Sequence, residues 1–135
     1  MRLVFDSNVI IAAFATRGIC QALLEASLEN HDVFICEEML EEIRGKLLRK
    51  IKLPPPIADE VEAYLRDSLS IVAPAKVAPD VCRDEDDRTV LGTAAAAAHA
   101  QYLVTGDKDL LILKNHGRTR ILDPRSFWDV LKRAR

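Results

Sequence analysis

"RLVFDSNVII", running from Arg2 to Ile11, sets one carboxylate and two small polar side chains between two apolar runs. Leu3–Phe5 is short, apolar on both faces and β-prone, which predicts a buried parallel strand. Whatever follows such a strand is delivered to the rim of the sheet, and Asp6 follows it at once. In open α/β sheets, sites form in crevices at the carboxyl ends of the strands. This one stretch therefore predicts a fold class and the place of a site together.

Outward from it, Asn8–Phe14 and Ile19–Leu28 read as helices, separated by Thr16-Arg17-Gly18. Val33–Ile35 reads as a second strand. Glu37–Lys50 is a helix with an apolar stripe of Met39, Leu40, Ile43 and Leu47. Pro54-Pro55-Pro56 punctuates, and Ile57–Leu69 is helical again. Further on, the pattern predicts strands at Ile71–Ala73, Tyr102–Val104 and Ile121–Leu122, and helices at Val90–Ala100, Leu110–Leu113 and Ser126–Arg133. Strands alternate with helices, which argues for a mostly parallel sheet with helices on both sides. At 135 residues the chain fits one domain, 1–135, with no repeat or linker.

Four carboxylates lean inward. Asp6 ends the first strand, and Asp107 ends Tyr102–Val104. At about 100° per residue, Asp87 shares a helical face with Val90, Leu91, Ala94 and Ala98, and Glu42 flanks the stripe of Met39, Ile43 and Leu47. Asp84 suits the N-cap of its helix, and Glu85 and Asp86 point outward. Four converging acids without matching bases repel one another, and burial costs several kcal/mol each unless something compensates. A hard divalent cation such as Mg²⁺ is the natural compensation, since it takes a few carboxylates and leaves positions for phosphate oxygens. Ser7, Asn8 and Thr105 are placed either to orient those carboxylates or to cap the turn or helix they open.

Charge is uneven. Residues 1–43 hold eight acids and two bases; residues 44–52 hold Arg44, Lys46, Arg49, Lys50 and Lys52 and no acid; residues 108–135 hold eight bases against three acids. An acidic focus with basic flanks suits a metal-dependent enzyme acting on a polyanion. The bases at 44–52, Arg44, Lys46 and Lys50 foremost, are candidates for holding the backbone of such a polyanion. Cys20, Cys36 and Cys82 have no metal-ligand or C-x-x-C spacing and read as buried hydrophobes of a reducing cytosol. The three histidines are scattered. No phosphate-binding glycine motif occurs. No apolar run approaches the roughly 20 residues of a membrane span, and Asp6 interrupts the apolar start where a signal peptide would need continuity. The expected location is cytoplasmic.

The stretches "RLVFDSNVII", "EEMLEEIRGKL", "CRDEDDRTVLGTA" and "QYLVTGDKDLL" together resemble the PIN domains, in particular the short bacterial and archaeal ones that are toxin components of toxin–antitoxin pairs. The resemblance spans residues 2 to 111. It implies a three-layer α/β/α sandwich and a Mg²⁺- or Mn²⁺-dependent ribonuclease. By motif it carries the family's acidic residues onto Asp6, Glu42, Asp87 and Asp107, with Asp109 in support. Glu85 stands where the family commonly has Pro, and the extra acids leave the ligand among residues 84–87 open, with Asp87 favoured by helical phase. The implied partners are RNA, a cognate antitoxin and a second copy of the chain. Two other readings fit the acids: a Mg²⁺-dependent phosphatase or phosphotransfer domain, and a PIN fold kept as an RNA- or partner-binding module. The first normally has a second acid two residues after its nucleophilic Asp, where this chain has Asn8.

Overall fold

The computed structural model describes residues 1–97 and 99–133. Ala98, expected on the inward face of its helix, and Arg135, counted among the C-terminal bases, lie outside the described residues. The elements are β1 (Arg2–Phe5), α1 (Ser7–Ala15), α2 (Ile19–Asn30), β2 (Asp32–Ile35), α3 (Glu37–Arg49), α4 (Pro55–Ser68), β3 (Ser70–Ile71), α5 (Glu85–Ala96), β4 (Tyr102–Val104), α6 (Lys108–Leu111), β5 (Asn115–His116), β6 (Thr119–Leu122) and α7 (Pro124–Arg133).

The strands form one sheet in the order β3-β2-β1-β4-β6-β5. Every pairing is parallel except β5 with β6. Leu3, Val4 and Phe5 are all buried although successive side chains face opposite sides, so helices cover both faces of the sheet. The result is the expected α/β/α sandwich on a mostly parallel sheet. Phe127 of α7 packs edge-on against Phe5 at 6.0 Å between ring centroids and against Tyr102 at 5.5 Å. On α3 the stripe of Met39, Leu40, Ile43 and Leu47 is buried. Pro54 caps α4, and Pro55 opens it, where a missing N–H costs nothing.

Most boundaries shift by one or two residues from the sequence pattern, and those of α5 shift most. Helix α5 begins at Glu85, because Asp84 caps it: its Oδ1 accepts from the Asp86 and Asp87 amides at 2.8 and 3.1 Å. It ends at Ala96 instead of Ala100, and His99 takes a left-handed φ of 64° as the chain turns back toward β4. Strand β3 starts one residue early, at Ser70, and β5 was not foreseen. No single helix among the described residues is long and apolar enough to cross a membrane.

Candidate active site

From β1 the chain moves one way across the sheet, to β2 and β3; β4, β6 and β5 lie on the other side. The two halves meet between β1 and β4. The Asp6 amide donates to the Val104 carbonyl at 2.9 Å, holding the two carboxyl ends together. This switch point is where a crevice opens in a doubly wound sheet.

Asp6 stands before α1 without capping it. Its Oδ2 instead accepts from Thr105 Oγ1 at 2.7 Å, and the same Oγ1 accepts the Asp107 amide at 3.0 Å. Asp107 Oδ1 in turn accepts the Asp109 amide at 2.8 Å and caps α6. Glu42 comes from the middle of α3 and Asp87 from the first turn of α5. All four expected acids line one cleft of about 190 Å³, together with Asn8, Lys46, Asp84, Asp86 and Val90. A larger hollow of about 430 Å³ lies between α2 and α7, but it gathers no comparable set of acids.

The electrostatics follow from burial and crowding. Asp87 is 8% exposed. Burial first, then a shared proton and charge from Asp107, then the charges of Asp84 and Asp6, push its carboxyl up to about 7. Burial also raises Asp6, with the charges of Glu42 and Asp107 adding to it; the Thr105 hydroxyl and the Ser7 amide oppose the rise. No base pairs with Asp6, Asp87 or Asp107 among the described residues. Carboxylate oxygens of Asp87, Asp107 and Asp109 lie within 4.8 Å of one another, close enough to share one cation.

The other predicted residues are placed as follows. Thr105 orients Asp6. The Ser7 hydroxyl is buried with no hydrogen-bond partner, so it orients no carboxylate here. Asn8 turns its Oδ1 to Lys46 Nζ at 3.1 Å, and Lys46 also pairs with Glu42 Oε2 at 3.1 Å. Lys46, expected on a basic rail leading away from the acids, thus sits inside their cleft; its i,i+4 spacing from Glu42 was the signal for this. Arg44 turns toward α4 and pairs with Asp59 and Glu62. Lys50 is exposed. Asp84 and Asp86 also line the cleft, though Asp86 was expected to face outward.

A family model described as a PIN domain matches residues 2–109. The chain is 29% identical over 126 residues to an uncharacterized protein of Methanocaldococcus jannaschii, an alignment covering 87% of this chain and 78% of that protein. Its fold superposes on a chain in the crystal structure of VapBC2 from Rickettsia felis bound to a DNA fragment from their promoter. That match has a TM-score of 0.64 at 14% identity and covers 91% of this chain and 98% of the other.

Proposed function

This chain belongs to the PIN-domain family, and on that premise we propose that it is a divalent-metal-dependent ribonuclease, the toxin of a toxin–antitoxin pair, acting through Asp6, Glu42, Asp87 and Asp107. The observation that carries this reading is the cleft at the β1/β4 switch point, where these carboxylates converge with Lys46 as the one base lining it among the described residues. Burial first, then the proton shared with Asp107 and the charges of Asp107, Asp84 and Asp6, raise Asp87 to about 7. Such a donor set fits a hard cation, Mg²⁺ or Mn²⁺. Asp6, Asp87 and Asp107 would hold it, with Glu42 completing the acidic wall and Asp109 within reach.

When bound, the cation supplies Lewis acidity toward a phosphate oxygen and lowers the pKa of a bound water. The chain's own residues do the rest. Thr105 aims Asp6, opposes the rise that burial imposes on it, and ties Asp107 to it through one hydroxyl. Attack by water at phosphorus breaks the P–O3′ bond, leaving a 5′-phosphate and a 3′-hydroxyl that has taken up a proton. Arg49 at the end of α3, with Lys50 and Lys52 just beyond it, holds the RNA backbone. The fold likeness to VapBC2, seen on DNA of its promoter, supports a cognate antitoxin, and a homodimer in the cytoplasm is the working form.

The test is cleavage of single-stranded RNA by the purified chain. Mn²⁺ or Mg²⁺ is expected to switch cleavage on and EDTA to switch it off, and Asp107→Asn is expected to lose it while keeping the parent's circular dichroism. Cleavage that persists in EDTA, or in a folded Asp107→Asn protein, overturns the proposal.

A further inference from the structure

The acids of the cleft are not served alike. Six carboxylates line it, from Asp6, Glu42, Asp84, Asp86, Asp87 and Asp107. Asp84 spends its Oδ1 on the amides of α5. Glu42 has a cation already: Lys46 stands one helical turn further along α3, 3.1 Å from Glu42 Oε2. The ammonium is held from a second side by Asn8 Oδ1, also at 3.1 Å. The pair is only about one-third exposed on each side chain, so water screens it incompletely. Asp87, Asp107 and Asp109 have carboxylate oxygens within 4.8 Å of one another, and none of the three is in an ion pair of the described residues.

We propose that Lys46 is a built-in cation at the Glu42 end of the cleft, and that it limits the site to a single divalent ion held on the Asp6, Asp87 and Asp107 side. This rests on the metal-dependent reading above and deepens it by fixing the number of ions. Two-metal sites need carboxylates at both ends, with the ions about 3.5–4 Å apart. Here Glu42 is engaged by Lys46, and a second dication bound to Glu42 would have to displace an ammonium that Asn8 and Glu42 both hold. Like charge between that ammonium and an arriving ion adds to the barrier. The lysine also leaves N–H donors free, since an ammonium has three and Glu42 and Asn8 take two. The third is available to a phosphate oxygen, the position a second metal would otherwise serve.

The experiment is Mn²⁺ binding to the full chain, read as the number of ions bound by electron paramagnetic resonance and by calorimetry. It is done at a pH above the Asp87 value, so that protons do not compete. The parent and Lys46→Arg, which keeps the charge, are expected to bind one ion each. Lys46→Met, which keeps the apolar stem and helix propensity, is expected to bind two, and Lys46→Gln serves as a second neutral variant. Two ions in the parent overturn the inference without any variant. One ion in both folded neutral variants overturns it as well, while leaving the ribonuclease reading in place. No ion in the parent overturns both.

Discussion

The Thr105 hydroxyl serves two carboxylates at once, donating to Asp6 and accepting the amide of Asp107. It is fully buried. Thr105→Val keeps the shape and removes both bonds, so the Asp107 amide loses its acceptor and Asp6 loses the contact that opposes the rise of its carboxyl. A cost of about 1–3 kcal/mol is expected, and second-sphere losses of this kind weaken metal binding by roughly 10–100-fold. Mn²⁺ titration of Thr105→Val against Thr105→Ser, which keeps the hydroxyl, checks this; equal affinities count against it. Asp87 gives a prediction in pH. Its folded value of about 7 lies above the ordinary 3.8, so the folded chain holds a proton that the unfolded chain releases. Stability of the metal-free protein therefore falls as pH rises from about 4 to about 7, and this group adds no further change above that. Asp87→Asn should flatten that slope and raise the melting temperature above neutral pH. Melting curves of EDTA-treated parent and variant across the window decide it, and identical slopes reject it. Asp6 and Asp107 were legible because buried strands announce their own ends. Lys46 was not, because a run of bases read along the chain hides the i,i+4 partner that turns one of them inward.

Among the elements, α5 is pinned by backbone contact. Ala75 donates its amide to the Gly92 carbonyl at 2.9 Å, and a Cβ on Gly92 would sit 2.1 Å from the Ala75 carbonyl oxygen. Gly92→Ala therefore loses stability by about 1–3 kcal/mol, although alanine alone favours a helix by about 1 kcal/mol over glycine. Gly18→Ala is the control, since nothing lies within 4 Å of its Cβ. Urea midpoints of the two variants should separate, the first well below the parent and the second close to it. The same helix shows why its ends were hard to place. Its first turn is Glu85, Asp86 and Asp87, which carry no apolar period, and the alanines that follow give no contrast between faces. The stripe on α3 was legible because charged residues surround Met39, Leu40, Ile43 and Leu47. Strand β5 was not, because Asn115 and His116 have no apolar alternation. Its pairing rests on a tight hairpin in which Gly117 takes a φ of 59°.

For the whole molecule, alternating strands and helices predict parallel pairing but do not order the strands. The adjacency of β1 and β4, which brings the acids together, is a tertiary choice fixed by registers such as Phe5 against Val104. The same folding redistributes the basic run. Arg44 is drawn to Asp59 and Glu62 of α4, and Lys46 into the cleft. Arg49, Lys50 and Lys52 remain exposed and outside the ion pairs of the described residues. They lie at and just after the end of α3, and on the proposed reading they are where a phosphodiester chain is expected to be held. Each phosphate they neutralise releases counterions, and for a single strand the slope of log affinity against log salt steepens by about 0.7 per contact. Reversal of both Lys50 and Lys52 to Glu should flatten that slope by about 1.4 or more. Arg44→Glu should leave it unchanged while loosening α4. Asp6→Asn is the background for both variants, so that RNA is bound and not cut. A slope unmoved by the double reversal, or moved as far by Arg44→Glu, would take the RNA off the end of α3 and put it on the C-terminal bases Arg118, Arg120 and Arg125.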